Sequence, residues 1–437
     1  MDLEKAASSC NSTKKGSSHC LQTAPGKSTS EAPAPSADPH IDTGLLPWLQ
    51  VLGGHLLTVN SWGYITSYGL FQAHYTETLG VSPSTVSWIG SVQLFLIFFL
   101  STFSMHALTT GYYRHVLAVG IVLQLVGIFT SAEGTQYWHF FLSQSLCQGV
   151  GMGLTFAPTV GLVSSYFVKR RAVAIAAIAS GLNTGGVIFP LIAQQMLPAQ
   201  GFKWSQRTMG FVIMLNSVFA VLLLKPKPPP SSNARRIIDM TAFTDRVFVT
   251  FAIGLVLAVL GMYFALYYTT PFAEDILHVS STTSLSLLLT LNAIGLPGRL
   301  IPALLADRFY GGLNVLVPVV LCTAILNLAW AGVHSPSGMW TWAIFYGFAS
   351  ASVQTLFPST LVALTKDKTR VPVRVGMMFT LLSVGCLAGP PLAGALIQAH
   401  SGGYLYAQMV MGSIMLLGTA FLVLARFLFA GFVAVKC

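Results

Sequence analysis

Charge is what this chain has least of. Only 8% of its 437 residues are Asp, Glu, Lys or Arg, against 54% hydrophobic, and mean hydropathy is +0.69. A soluble domain has about a quarter of its residues charged. So few charges cannot cover a water-facing surface of this size, which excludes a soluble fold and turns most of the chain toward lipid. Cysteine is sparse too. Cys10, Cys20, Cys147, Cys322, Cys386 and Cys437 form no CxxC pair and no ligand spacing. They read as small apolar or idle thiols, with no metal expected.

Nucleotide motifs are missing. The segment APGKST at 24–29 has Leu21 where a phosphate loop needs its first glycine, and GVGMG at 149–153 lacks the spacing of a dinucleotide fingerprint. Neither follows a strand pattern. No nucleophile–base pair or metal-ligand cluster is visible in the apolar runs, so neither an enzyme nor a cofactor is expected. The net charge of +10 is spread over short connections rather than along one stripe, which excludes a nucleic-acid partner. No cleavable leader is expected, because the first apolar run begins only near Leu45 and is too long for one.

What is present is about twelve apolar runs near the ~20 residues that span a bilayer. They fall roughly at 48–72, 84–107, 114–132, 137–165, 171–197, 207–224, 247–270, 282–305, 312–333, 339–364, 374–399 and 404–430. Backbone groups in lipid must be paired internally, so the expected fold class is an all-α membrane protein of twelve transmembrane helices. Residues 1–44 are polar and poor in large apolar side chains, and are expected to be a disordered cytoplasmic tail. With the N-terminus inside, twenty of the 23 Lys and Arg fall on the inner side, and Lys203 and Arg207 alone on the outer. That asymmetry puts both termini in the cytoplasm. The sequon at Asn11 then faces the wrong side for glycosylation and is a weak candidate.

The halves echo each other at an interval of two hundred residues. Thr155, Pro158, Arg170, Gly185 and Pro190 answer to Thr355, Pro358, Arg370, Gly385 and Pro390. Parallel repeats with broken helices are the mark of one large class of secondary transporter. The Pro-rich stretch from Lys225 to Arg236 separates them. The expected domains are therefore a six-helix bundle at 45–224, a cytoplasmic linker at 225–246, a second bundle at 247–432 and a short tail at 433–437. Gly149, Gly153, Pro158, Gly185, Pro190, Pro358, Gly385 and Pro390 are candidate hinges, with close helix packing as the competing role of the glycines.

None of the thirteen acidic residues lies deep in a run. The one deep, permanently charged residue is Arg299. A buried guanidinium needs an anion, and no carboxylate supplies one at depth, so a substrate anion is expected to complete the site. The competing role is an arginine reaching the inner interface or pairing with Asp307. His55, in the first run, and Asp307 are candidates for proton coupling. Asn60, Tyr64, Asn183, Tyr263, Asn292 and Gln354 are polar residues in apolar runs. They are read either as lining a midplane cavity or as bonding helix to helix.

These features resemble the major facilitator superfamily. More narrowly they are similar to the monocarboxylate porter family and its fungal branch. The resemblance covers about residues 42–430. It rests on Asp42-Thr43-Gly44 with Trp48, SYFVKRRAVAIAAIASGLNTGGVIFP at 165–190, GRLIPALLADRFYG at 298–311 and AGPPLAGAL at 388–396. The segment TTGYYRHV keeps little of the superfamily's loop signature. The resemblance implies that Arg299 stands where the family's arginine binds a substrate carboxylate. The animal lactate carriers place an acidic residue one turn earlier, where this chain has Gly295. They also place a lysine in the first span, near Thr66 here. Lactate–proton symport is therefore not implied.

The expected function is a secondary active transporter of a monocarboxylate-like or other organic anion. It would work by alternating access in the plasma membrane, with the vacuolar membrane as the other location and protons as the candidate coupling ion. The alternative is an exporter of a fungal secondary metabolite. A non-transporting membrane sensor is the distant rival, and the short central linker and C-terminal tail argue against it.

Overall fold

The computed structural model describes residues 44–81, 83–226 and 237–431. The sequon at Asn11, the tail at 1–43, most of the Pro-rich stretch and the last six residues lie outside them. Among the described residues every regular element is helical. In chain order they are α1 (Leu45–Thr58), α2 (Tyr68–Leu79), α3 (Pro83–Phe99), α4 (Ser101–Thr110), α5 (Tyr113–Ser131), α6 (Tyr137–Phe140), α7 (Gly149–Ser164), α8 (Arg171–Ala179) and α9 (Gly181–Leu223). After the Pro-rich stretch follow α10 (Arg246–Asp275), α11 (Ser281–Leu305), α12 (Gly312–Ala329), α13 (Pro336–Leu364), α14 (Val371–Ala399) and α15 (Leu405–Ala430).

Nine helical stretches among the described residues are long and apolar enough to cross a membrane. They include α3–α4, α5, α10, α12, α14 and α15. The pattern on α9 explains why these helices are stable in lipid. Phe211, Leu215, Val218 and Leu222 are exposed on one face, while Met209, Ile213 and Ala220 are buried on the other. Spacings of three and four put each set on a single stripe. Apolar side chains on the outer stripe meet acyl chains, so the usual polar exterior is absent.

Several helix starts follow local chemistry. Ser280 Oγ accepts from the Thr283 amide at 3.3 Å at the start of α11. Ser335 Oγ accepts from Gly338 at 3.2 Å at the start of α13, followed by Pro336 in the first turn. Asp245 does the same for α10 through the Val247 amide at 3.1 Å. Each satisfies a helical N–H that would otherwise be unpaired.

Two boundaries differ from the sequence expectation. The runs expected at 171–197 and 207–224 are joined: α8 and α9 form one 53-residue helical stretch. It turns at Gly201, whose φ of 79° is open to glycine but strained for other residues. The first run, expected unbroken at 48–72, is interrupted. A π-helical turn follows α1 at Val59–Gly63, and a turn at 66–67 precedes α2. The interruption coincides with a close approach of two segments of the chain. A Cβ on Gly63 would lie 2.5 Å from the Gly185 Cα, so the two backbones touch without side chains between them.

The first and second halves of the sequence meet along two seams. In one, α3, α4 and α7 lie against α14; in the other, α8 and α9 lie against α11, with α13 also against α8. Near the end that bears Lys169–Arg171 and Lys366–Arg370, the seams are tight. Thr102 and Thr380 bring their hydroxyl oxygens to 2.7 Å, and a Cβ on Gly376 would lie 3.1 Å from the Ser101 carbonyl oxygen. Asp307 accepts the Ala172 and Val173 amides at 3.2 and 2.9 Å, capping the start of α8 from across the seam. A slot among Met105, Val160, Ile175, Pro358, Val362 and Val375 holds about 20 Å³, room for about one water. At that end the two halves thus meet through direct side-chain and backbone contacts.

Candidate functional site

Arg299 sits six residues before the end of α11, 2% exposed, where that helix faces both α9 and α13. Three of its N–H groups donate to neutral groups. Nε donates to Asn183 Oδ1 at 2.5 Å, Nη1 to Thr355 Oγ1 at 3.1 Å and Nη2 to Gln354 Oε1 at 2.9 Å. Asn183 in turn donates through Nδ2 to the Asn292 carbonyl at 2.6 Å. Four of the residues anticipated from the sequence, Arg299, Asn183, Asn292 and Gln354, therefore converge on one point. They come from α9, α11 and α13, so the point lies between the two halves.

The energetics allow this charge to stay without a carboxylate. Burying an arginine at the centre of a membrane helix costs about 2.5–3.5 kcal/mol on insertion scales. Each hydrogen bond from a charged group returns about 1.5–3 kcal/mol. Three of them offset the insertion-scale cost. The described acidic residues all sit at helix ends or in connections, Asp307 included. The site thus holds a positive charge solvated by amide and hydroxyl oxygens.

Two neighbours, Thr355 and Gly295, were not among the site candidates read from the sequence. Thr355 escapes because a threonine bonding its own helix is common, and it does bond the Ala351 carbonyl at 3.0 Å as well. Gly295 leaves the space that the Asn183 amide fills. The repeat offset was the available signal for Thr355, since it pairs with Thr155, itself bonded to Gln124 at 3.0 Å.

The other candidates lie elsewhere. Asn60 binds the Ile213 carbonyl and Ser217, and accepts from Asn216, all within 3.1 Å. Tyr64 donates to Gln206 at 3.0 Å. Both tie the first helical stretch to α9, the helix-to-helix role. His55 Nδ1 lies 2.8 Å from the Ala177 carbonyl, so it is the protonated nitrogen and donates there. Asp307 holds the two amides of α8 already described. Of the glycines, a Cβ on Gly153 would meet the Leu96 carbonyl at 2.6 Å, and one on Gly385 the Val256 carbonyl at 2.9 Å. Gly149 packs in the same way on Gln93 and Leu96. Pro158, Pro190, Pro358 and Pro390 all lie inside helices that continue past them.

A helical membrane protein with a charged site between two sequence-related halves defines a transporter architecture, and comparison with known proteins agrees. The model of the Major Facilitator Superfamily matches residues 54–370. The chain is 40% identical over 400 residues to an MFS-type transporter of Gibberella zeae, covering 91% of this chain and 90% of that one. It is 31% identical over 381 residues to the agnestins efflux protein AgnL12 of Paecilomyces divaricatus, covering 86% and 87%. It is 30% identical over 389 residues to the aspyridones efflux protein apdF of Emericella nidulans, covering 88% and 78%. Among solved structures, the human organic anion transporter MFSD10 superposes with a TM-score of 0.67 at 16% identity, covering 86% of this chain and 98% of that one. The chain belongs to the Major Facilitator Superfamily. It is a multi-pass membrane transporter, and its family and neighbours are transporters rather than enzymes.

Proposed function

We propose that this transporter exports an organic anion, a secondary metabolite, by alternating access around Arg299. The observation that carries the reading is a fully buried guanidinium between the two halves whose three partners are all neutral. Similarity to proteins named for efflux of aspyridones and agnestins supports export over uptake. The stretches at 165–190, 298–311 and 388–396 support a place beside the fungal branch of the monocarboxylate porters. Arg299 holds the anionic group, with Gln354, Asn183 and Asn292 beside it. Asn60 and Tyr64 shape the first half's wall of the route.

The full topology belongs to the same proposal. Twelve spans follow when the long α8–α9 stretch counts as two and the α1–α2 stretch and α13 are added to the apolar helices. α13 is 29 residues long but carries six Ser, Thr or Gln between 350 and 360. Two six-helix bundles, 45–224 and 247–432, join through the cytoplasmic linker at 225–246, with both termini inside. The bundles rock at the glycine and proline positions of α7, α9, α13 and α14. The membrane is the plasma membrane. A proton, if coupled, passes by His55 or Asp307.

The test is secretion. Deleting the gene is expected to leave an acidic product inside the cells. Reintroducing the wild-type chain restores its release, and Arg299→Ala, inserted in the membrane at equal amount, does not. Normal release by Arg299→Ala would remove that residue from the site.

A further inference from the structure

The amide of Asn183 does something more specific than line a cavity. Its two ends reach two points on α11: Oδ1 accepts from Arg299 Nε at 2.5 Å, and Nδ2 donates to the Asn292 carbonyl at 2.6 Å. Helical carbonyls point toward the C-terminus and helical side chains lean toward the N-terminus. The Asn292 oxygen and the Arg299 guanidinium therefore converge between those residues, at the level of Gly295. A Cβ on Gly295 would run into Asn183 Nδ2. The bare backbone of Gly295 is thus the seat for a side chain from the other half. A carboxylate one turn away on the same helix would lie within reach of such an arginine. Here that position holds no side chain and the partner arrives from α9.

We propose that Asn183 is a neutral stand-in for the substrate's anionic group, and that the substrate releases α9 from α11 by taking its place. The inference rests on the anion-site reading above. Nε and Nη2 form one edge of the guanidinium fork, the edge a carboxylate or enolate grips with two parallel bonds. Two separate amide oxygens occupy it now, Asn183 from the first half and Gln354 from the second. An anion binding along that edge displaces the Asn183 oxygen, because a charged acceptor outcompetes a neutral one. The displaced contact is one that joins the halves. Binding therefore favours the conformer in which they part, through a differential interaction with the two states. A carboxylate on α11 itself would pair with Arg299 equally in both conformers and give no such coupling.

The test uses the full chain in membrane vesicles with the Thr102→Cys/Thr380→Cys pair, whose parent hydroxyls lie 2.7 Å apart across the other seam. Oxidative cross-linking of that pair reads closure without any substrate. Asn183→Ala removes both hydrogen bonds of Asn183 to α11 and is expected to reduce cross-linking at least about tenfold, the effect of losing the bond to the charged group alone. Asn183→Asp places a fixed anion on Arg299. It should cross-link at least as well as the parent and abolish secretion. The double variant Asn183→Ala/Gly295→Asp gives Arg299 a partner on its own helix. It guards against simple misfolding, and should insert normally yet still cross-link poorly. Parental cross-linking in both Asn183→Ala and the double variant, or parental secretion in Asn183→Asp, would overturn the inference. If Arg299→Ala stops secretion while the Asn183 variants behave as the parent, this inference alone falls. If Arg299→Ala secretes normally, the anion-site reading falls with it.

Discussion

A guanidinium offers five N–H donors in one plane, and Arg299 spends three of them on oxygens from helices α9 and α13. Lysine would keep the charge but not the fork. Arg299→Lys is therefore expected to insert normally and to lower the initial rate of product efflux at least about tenfold, since one ammonium cannot serve an anion's two oxygens in parallel. A parental rate in vesicles would show that a point charge suffices. Arg299 itself was legible in the sequence, because a permanent charge among apolar residues has few explanations. Its neighbours were harder to rank. Asn60 and Asn183 are the same residue type in the same kind of run, and only their partners separate them: Asn216, Ser217 and the Ile213 carbonyl for one, Arg299 for the other. Sequence carries no information on which partner an amide will find.

At the scale of elements, the helices were legible wherever long apolar runs were bounded by charge or proline. The breaks were not. The interruption after α1 ends at Gly63, which meets Gly185, 122 positions away, backbone to backbone. No local pattern announces it. The contact leaves a Cβ on Gly185 only 2.6 Å from the Gly63 Cα. Gly185→Ala is expected to destabilise the chain by about 1–3 kcal/mol through overpacking, seen as a fall in the thermal midpoint of the solubilised protein. An unchanged midpoint would mean that the two helices separate easily there. The Asp307 cap is a similar case of two distant segments meeting. Asp307→Ala removes the acceptor for the Ala172 and Val173 amides. It is expected to loosen that seam by about 1 kcal/mol, in the range of other helix caps, and cross-linking of the Thr102→Cys/Thr380→Cys pair should fall accordingly.

At the scale of the whole molecule, charge gathers at one end. Asp239 is bound by Arg374 at 3.0 Å and Arg370 at 3.2 Å, and Arg374 also binds Asp245 at 2.8 Å. Burial works against ionisation of Asp239, but hydrogen bonds from Thr241 and Arg374 and the charges of Arg374 and Arg370 outweigh it, so its carboxyl titrates below the ordinary range. A carboxyl with a depressed folded-state pKa contributes its full stability above the unfolded value of about 3.9. That contribution is lost as pH falls through the depressed value. The solubilised protein is expected to lose thermal stability below about pH 4, and Asp239→Asn to remove most of that acid step while lowering stability at neutral pH. An acid profile identical in the two proteins would place the step in other carboxylates. The cluster ties the segment entering α10 to the start of α14, both in the second half.

The unneutralised charge on Arg299 has an electrical consequence. On the proposal that Arg299 holds the anion, the carrier with its site empty bears one positive charge inside the α11 span, and with a monoanion bound it bears none. When the halves rock, only the empty form moves charge through the field, and each elementary charge is worth about 2.3 kcal/mol per 100 mV. A membrane negative on the inside would then pull the unloaded carrier back inward after each release, against the Asn183 contact that joins the halves, so that voltage helps drive the anion out. Reconstituted protein would carry an outward flow of negative charge in step with product, and Asn183→Asp would silence that current.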